Sequence, residues 1–294
     1  MEQDKALQLI LDDLKSWAGY SCLPPRLKKM YPALAQRQRD DEHGVAARLK
    51  AIQSVLADEK LGAMIDLGGN SGYFCLSLID AGMAASATVY DVVGGALAAG
   101  RQMAELLGIG EKICFVEQSV DLAFVQNLPN VDTFLCLNFL HNAGTLFDVE
   151  RVHEEGWARY VQQWLRLLRE KGRFAIISLG FDPENPVHWD EPLESRARCF
   201  ARFAEDAGWS IRYYANVREL ERRGVDAASG RYTTPSHGNL DAALKAAIKT
   251  GNTPLLRPLK DALKRGLRRA QVLPKVRNVT GSQKFYHLYI LEIP

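Results

Sequence analysis

A glycine-rich turn after a buried strand is the first feature of the sequence that could bind a ligand. Residues 63–67 form a short apolar run that predicts a buried strand, and a helix is predicted from about residue 72. Glycines let the backbone of such a turn approach a ligand closely, and the N-terminus of the next helix offers free N–H groups. Asp66 places a carboxylate just before the turn, where it could hold the cationic amine of an amino-acid-like ligand. The turn residues are Gly68, Gly69, Asn70, Ser71 and Gly72.

A second acidic residue ends the next predicted strand. Asp91 closes the strand-like segment 86–91. In an open α/β sheet, ligands bind beyond the carboxyl ends of the strands, where the strand order reverses. An acid at such a strand end can accept hydrogen bonds from both hydroxyls of a ribose. The turn and Asp91 together therefore predict a ligand that contains a nucleoside.

Two alternatives to this interpretation stay open at the level of the turn. A dinucleotide-binding turn requires the pattern G-x-G-x-x-G, which residues 68–73 do not supply, and Asp66 would be a poor neighbour for a pyrophosphate. The other alternative is a plain strand-to-helix turn without a ligand. Asn70 is compatible with a tight turn, because asparagine tolerates the left-handed backbone better than other non-glycine residues.

The elements that must position these residues alternate along the chain from residue 61. Apolar runs stopped by glycines predict five strands with helices between them, which indicates a mostly parallel sheet covered on both faces. A long helix is predicted after the fourth strand to about Glu170, with Gly172 as its left-handed stop. Two further strand-like segments, 209–217 and 284–293, suit an antiparallel addition at the edge of the sheet. The five predicted strands are 63–67, 86–91, 113–116, 131–137 and 173–178.

The turn, Asp91 and the strand–helix alternation resemble class I S-adenosylmethionine (SAM)-dependent methyltransferases. Residues 66–72 resemble the D-x-G-x-G-x-G motif of that family, with Asn70 in place of the middle glycine. The resemblance covers residues 61–217 and 283–294 and implies that this part is the SAM-binding core. It also implies an α/β fold with a seven-stranded, mostly parallel, doubly wound sheet whose last strand is antiparallel.

The resemblance implies SAM as the cofactor and assigns residues to it. The glycines of the turn line the methionine and ribose, and Asp91 binds the ribose hydroxyls. Gln118 and Ser119, after the third strand, fall where the family contacts adenine. The implied cofactor-binding residues are Asp66, Gly68, Gly69, Asn70, Gly72, Asp91, Gln118, Ser119, Asn138 and Phe139.

The segment after the fourth strand falls where the family places groups that face the reacting centre. Methyl transfer from a sulfonium is an in-line displacement, so the protein mainly aligns the acceptor and excludes water. A hydroxyl acceptor needs a base, and histidine suits that role at neutral pH. His141 is the predicted base; the alternative is a histidine that braces the start of the following helix. No metal is predicted, because Asp148, Glu150 and His153 would not share one helix face.

Two regions extend the core. Residues 1–60 predict an N-terminal helical extension or cap, and residues 218–282 predict a helical insertion before the last strand. Within the insertion, residues 245–277 carry ten Lys and Arg against one acid, with apolar residues at helix spacing. Such a basic amphipathic helix fits an anionic membrane surface, an acidic or phosphorylated glycan, or RNA phosphates. A lid helix with solvated charges is the remaining interpretation.

Composition narrows the class of protein. The net charge of the 294 residues is only +2, so attraction to nucleic acid or anionic lipid must come from a local patch. The five cysteines are dispersed and contain no C-x-x-C pair, so neither a disulfide framework nor a zinc site is predicted. The N-terminal segment lacks the pattern of a signal peptide, and no run of 18 apolar residues occurs. We therefore expect a cytoplasmic protein, with docking to the inner membrane surface left open.

Three functions remain open at this point. The first is O-methylation of a small molecule or saccharide, with an acidic, phosphorylated or lipid-linked glycan as one such acceptor. The second is an RNA methyltransferase that uses the basic segment as a phosphate track; the near-neutral charge and the lack of a recognisable RNA-binding module count against it. The third is a methyltransferase-like scaffold that binds without catalysis.

Overall fold

Seven strands form one mixed sheet in the computed structural model, which describes residues 2–16, 22–38, 44–181, 193–225 and 285–294. Each strand comes from an apolar run of the sequence, and the central strands are buried on both faces. The strands are β1 (Ala63–Leu67), β2 (Ser86–Asp91), β3 (Ile113–Glu117), β4 (Val131–Leu137), β5 (Gly172–Phe181), β6 (Ser210–Asn216) and β7 (Phe285–Glu292).

The strand order is β3-β2-β1-β4-β5-β7-β6. The first five strands pair in parallel, whereas β7 is antiparallel to both of its neighbours. The two final strands extend the sheet beyond β5 as expected, with β7 inserted between β5 and β6. This confirms the predicted α/β fold with its antiparallel last strand, the fold that the resemblance implies. The order reverses between β1 and β4, so the carboxyl ends of these strands border the ligand-binding crevice of such a sheet.

Helices cover both faces of the sheet. Buried residues of α1 to α6 and α11 form one core, and those of α7 to α10 form the other. The helices are α1 (Glu2–Ser16), α2 (Pro25–Met30), α3 (Pro32–Ala35), α4 (Val45–Val55), α5 (Tyr73–Asp80), α6 (Gly94–Leu107), α7 (Leu122–Gln126), α8 (Val149–Glu155), α9 (Trp157–Lys171), α10 (Leu193–Asp206) and α11 (Val217–Arg223), with short 3-10 turns at Gly110–Lys112 and Leu140–Asn142.

The four N-terminal helices share the core of α5 and α6. Ile10 and Leu14 of α1 are buried in it. Arg26 of α2 pairs with Asp80 at 2.7 Å and donates to the carbonyl of Leu107, so it ties α2 to the last residues of α5 and α6. The domain boundaries remain a prediction, and the basic segment 245–277 lies outside the described residues. No helix among the described residues is long and apolar enough to cross a membrane.

The prediction of one long helix after β4 is wrong. Gly156 separates α8 from α9 with φ 81° and ψ 144°, a conformation that only glycine adopts readily. The left-handed stop predicted at Gly172 is also wrong, because this residue is extended and begins β5. A Cβ at Gly172 would lie 2.7 Å from the ring of Phe134, so close packing requires the glycine there. Helix α7 was not predicted; Asp121 caps it by accepting a hydrogen bond from the N–H of Phe124 at 2.7 Å.

Candidate functional site

Residues 68–72, the β1 turn, connect β1 to α5 at the carboxyl edge of the sheet. Gly68, Asn70 and Gly72 have φ of 72°, 52° and 72°, all in the left-handed region. The N–H groups of Gly68 and Gly69 both donate to the carbonyl of Tyr90, at 2.9 and 3.1 Å. The turn is therefore fixed against β2 by its backbone.

Close packing restricts the β1 turn to small residues. A Cβ at Gly68 would lie 2.3 Å from the ring of Phe139, and a Cβ at Gly69 would lie within 2.7 Å of Val89 and Asp66. The sequence analysis missed Gly100 of α6, where a Cβ would lie 2.7 Å from the carbonyl oxygen of Ser71. The signal for it was the run of small residues in 94–100.

Asp91 and the β1 turn come together as the sequence predicted. The Oδ2 of Asp91 accepts from the N–H of Asn70 at 2.8 Å, and its Oδ1 accepts from the N–H of Val93 at 2.9 Å. A carboxylate offers about four acceptor positions, so both oxygens can still accept from a ligand. Asp91 thus braces the turn as well as facing the site; its role toward a ribose stays a prediction.

Asp66 is buried beneath the β1 turn with 2% of its surface exposed. Its Oδ2 lies 3.6 Å from the thiol of Cys75, and its Oδ1 has no hydrogen-bond partner among the described residues. The pKa of Asp66 is raised to about 7, mainly by burial; the hydrogen bond from the Cys75 thiol opposes the rise, and the charge of Asp91 contributes to it. A buried carboxyl group of this kind is stable only if it holds a proton or faces a positive charge.

The strand ends next to Asp91 provide polar and apolar surface. Gln118 and Ser119 are exposed after β3, and the side-chain amide of Gln118 donates to the carbonyl of Ser119 at 2.8 Å. The backbone N–H of Gln118 donates to the carbonyl of Asp91 at 2.9 Å, so this loop follows the end of β2. Val92 is 62% exposed and was not singled out from the sequence. The sequence signal that could have identified Val92 was its position directly after Asp91, the acid that ends β2.

Residues 138–148, the β4 loop, attach to β5 through side chains. Asn138 has φ 59°; its N–H donates to the carbonyl of Ser178 at 2.9 Å, and its Oδ1 accepts from the Ser178 hydroxyl at 3.0 Å. The Nδ1 of His141 accepts from the N–H of Gly180 at 3.2 Å. The sequence analysis did not identify Ser178 or Gly180, since they lie about forty residues along the chain from their partners.

Phe139 links the β4 loop to the β1 turn. Its ring stacks on Phe147 with centroids 4.5 Å apart and 9° between the planes, and the ring of Trp164 lies 5.9 Å away. The same ring covers the backbone of Gly68. Phe139 is therefore placed between the β4 loop and the β1 turn, and its contact with a cofactor stays a prediction.

Asp148 has a structural role at the end of the β4 loop. Its Oδ2 accepts from the N–H of Leu122 at 2.8 Å and from the hydroxyl of Tyr160. Burial and the hydrogen bond to Asp148 raise the pKa of Tyr160, so the phenol keeps the proton that it donates. Across the described ranges, no three His, Cys, Asp or Glu side chains are grouped as a metal site would need.

No protein-family model matches the sequence, and no curated protein sequence matches it. Among solved structures, the chain is similar to a SAM-dependent methyltransferase from Geobacter sulfurreducens in complex with S-adenosyl-L-homocysteine (TM-score 0.48, 12% identity, 92% of this chain and 99% of that chain). It is similar to a second such complex from Thiobacillus denitrificans (TM-score 0.45, 14% identity, 92% and 99%). It is also similar to the [4+2]-cyclase SpnF (TM-score 0.46, 16% identity, 85% and 82%). Similarity at this level assigns neither an activity nor a substrate to this chain.

Proposed function

We propose that the chain is a SAM-dependent methyltransferase that methylates an oxygen of a small molecule or saccharide. One observation carries the proposal: the β1 turn, at the end of a strand that borders the reversal of strand order, meets Asp91 at the end of the neighbouring strand β2, joined by the 2.8 Å hydrogen bond from Asn70 to Asp91. SAM combines an amino acid with a nucleoside, so it needs a close backbone approach and a ribose-binding carboxylate side by side.

The residues of the site fit SAM. Gly68 and Gly69 keep the turn tight against Phe139, Val89 and Asp66, and Asp91 keeps acceptor capacity for ribose hydroxyls. The Oδ1 of Asp66, which has no hydrogen-bond partner in the described part of the chain, complements the positive charge of the methionine part, and the exposed Val92 offers apolar surface to the adenine. When bound, SAM supplies an electrophilic methyl group, and the chain's residues position it and exclude water.

A dinucleotide cofactor fits the site less well. A pyrophosphate brings negative charge to the turn, where backbone N–H groups and a helix N-terminus usually receive it. Here Asp66 lies beneath the turn, and Asp91 accepts a hydrogen bond from the backbone N–H of Asn70 in the turn. Two carboxyl groups at this place favour a ligand with a positive charge and free hydroxyls.

We propose the β4 loop as the side of the site that faces the acceptor, because it ends the strand next to β1. Residues 1–60 serve in this proposal as a cap, and the ten basic residues of 245–277 favour an acidic, phosphorylated or lipid-linked saccharide. RNA is the alternative acceptor for the same charges. A scaffold without activity would bind SAM and transfer nothing.

Calorimetry with SAM and with S-adenosylhomocysteine tests the cofactor. We expect the folded protein to bind both, and Asp91→Ala to weaken binding by about 1–3 kcal/mol through lost charge-assisted hydrogen bonds. Asp132→Ala is the matched control, because Asp132 also accepts from a backbone N–H, that of Ala63 at 2.8 Å, at the opposite edge of the sheet. Absence of heat with both ligands would overturn the proposal.

Isotope-labelled SAM identifies the acceptor class. Candidate extracts are incubated with the wild-type protein and with Asp91→Ala, and the methylated products are compared by mass spectrometry. Label in small molecules or saccharides supports O-methylation, and label in RNA supports the alternative acceptor. Binding of SAM without any transfer would indicate the scaffold.

A further inference from the structure

We propose that Trp164 of α9 is a positioning residue for the cofactor: it holds the stacked rings of Phe139 and Phe147 against the β1 turn, so that SAM affinity depends on a side chain beneath the site. The inference rests on the proposed function, since it names a further residue that the cofactor site needs. Trp164 has no exposed surface, so it acts through Phe139 and does not itself contact a ligand in the crevice.

The indole ring of Trp164 contacts three other aromatic rings. Its centroid lies 5.9 Å from that of Phe139, 6.3 Å from that of Phe147 and 6.3 Å from that of Tyr160, with angles of 54°, 57° and 51° between the planes. Tilted aromatic pairs at such separations are favourable beyond the apolar area that they bury. Trp164 is the largest fully buried side chain of the described chain, and a smaller residue would leave at least one of these rings without support.

The two phenylalanine rings depend on this support because each is only half-buried. Phe139 and Phe147 stack on each other with centroids 4.5 Å apart, and both pack from outside on the core that contains Trp164. Close packing is what keeps a side chain in one rotamer. A ring that is partly open to solvent keeps its orientation only while its buried side is filled, and here Trp164 fills it.

Phe139 transmits this support to the β1 turn. A Cβ at Gly68 would lie 2.3 Å from Cδ2 and 2.9 Å from Cγ of the Phe139 ring, so ring and backbone are in close contact. Gly68 has φ 72° and donates its N–H to the carbonyl of Tyr90 at 2.9 Å. The backbone of Gly68 is therefore held both by β2 and by the ring of Phe139, and a shift of that ring would let the turn move.

Helix α9 also fixes the last residue of the β4 loop. Tyr160 lies four residues before Trp164, so the two side chains share one face of α9. The hydroxyl of Tyr160 donates to Oδ2 of Asp148, which also accepts from the N–H of Leu122 at 2.8 Å. Because this end of the loop is held independently, we expect a change at Trp164 to release Phe139 without detaching the loop.

Calorimetry of Trp164→Leu with S-adenosylhomocysteine tests the proposal. We expect the dissociation constant to rise by about 5- to 30-fold, because the ring contacts with Phe139 and Phe147 are lost. A rise of less than about twofold in a folded variant would refute the role of Trp164.

Trp209→Leu is the matched control. Trp209 is buried in the same core, and its Nε1 donates to the carbonyl of Leu165 at 2.8 Å, so its replacement should also lower the melting temperature. Among the described residues its ring contacts neither Phe139 nor Phe147. We expect the dissociation constant of this variant to stay within about twofold of the wild-type value. A loss of affinity as large as in Trp164→Leu would show a general effect of stability and contradict the proposal.

A double-mutant cycle determines whether Trp164 acts through Phe139. We expect Phe139→Leu alone to weaken binding, and Trp164→Leu to add less than about twofold in that background, since the ring that it supports is gone. Additive losses would mean that the two residues act independently, which the proposal does not allow.

Fluorine NMR of the protein labelled with 5-fluorotryptophan reads the same coupling without a destabilising change. We expect S-adenosylhomocysteine to shift the signal of Trp164, assigned by its loss in Trp164→Phe, and to leave the signal of Trp209 in place. An unshifted Trp164 signal at saturation would overturn the assignment while the proposed function stands. A wild-type protein that gives no heat with either SAM or S-adenosylhomocysteine would instead remove the proposed function, and this inference with it.

Discussion

The β1 turn and the β4 loop border the same crevice but are built in different ways. The turn is fixed mainly by its backbone: two N–H groups donate to Tyr90, and a third donates to Asp91. The loop has one backbone hydrogen bond to β5, from Asn138 to Ser178, and depends further on side chains, since those of Asn138 and His141 each reach a residue of β5. A site made of backbone requires glycine at defined positions, whereas a site made of side chains depends on partners far along the chain. The first kind leaves a sequence pattern, and the second does not.

Among the variants that test this comparison, Gly68→Ala has the largest expected effect on SAM affinity. Gly68 and Gly82 have φ of 72° and 71°, so alanine at either position costs about 1–2 kcal/mol for the left-handed backbone. Only at Gly68 would the Cβ also collide, 2.3 Å from the ring of Phe139; at Gly82 nothing lies within 4 Å. We expect Gly68→Ala to lose at least about 100-fold in SAM affinity, or to unfold, because the turn cannot keep its shape.

Gly82→Ala is the matched control for that experiment. Thermal unfolding and calorimetry of the two variants should show a similar backbone cost, with a loss of SAM affinity at Gly68 alone. If both variants bind SAM as the wild type does, the close contact between the β1 turn and Phe139 is not needed for the site.

Asp66→Asn tests the buried carboxyl group beneath the turn. Its pKa in the folded protein, about 7, is above the ordinary value of 3.8, so folding favours the protonated form. The stability from this proton is present below about pH 4 and is lost as the pH rises toward 7. Relative to Asp66→Asn, we expect the wild type to lose about 2–3 kcal/mol of unfolding free energy between pH 5 and pH 8.

Chemical denaturation of both proteins at the two pH values measures this difference. Glu111→Gln, at an exposed position, controls for the removal of one negative charge. A gap between wild type and Asp66→Asn that is the same at pH 5 and pH 8 would show that Asp66 does not change protonation in this range.

Asn70→Gly gives the smallest expected effect. It tests whether the β1 turn binds through its backbone alone or also through the Asn70 side chain. Glycine adopts the φ of 52° more easily, but the variant loses the hydrogen bond from the N–H of Ser71 to the Asn70 side chain at 2.8 Å. These effects oppose each other, so we expect stability to change by less than about 1 kcal/mol and SAM affinity by less than about threefold. A large loss of affinity would mean that the Asn70 side chain, and not only its backbone, takes part in binding.

The sheet could be predicted from the sequence because its strands are short apolar runs ended by glycine or polar residues. The break at Gly156 could not, since the apolar spacing on either side continues as one helical pattern. The extended Gly172 was missed for a different reason: the need for glycine there comes from Phe134, which lies on a neighbouring strand.

The site was predictable to the extent that it is made of backbone. The β1 turn and Asp91 are close in space as their positions at strand ends required. The spacing of residues along the chain does not specify side-chain directions. It therefore could not predict that Asp91 braces the turn or that Asp66 is buried. The N–H of Gly180 donates to Nδ1 of His141, and no local pattern around residue 141 indicates that partner.

The position of β7 affects how the protein can form during synthesis. Strand β6 has β7 as its neighbour in the sheet order, and β7 begins at Phe285, 69 residues after β6 ends at Asn216 (285 − 216 = 69). At a translation rate of about 5–20 residues per second, β6 leaves the ribosome roughly 3–14 seconds before its partner. Until then the edge of β5 that pairs with β7 lacks that strand and can pair with other strands. Nascent chains stalled in this interval should therefore be the species most prone to aggregation.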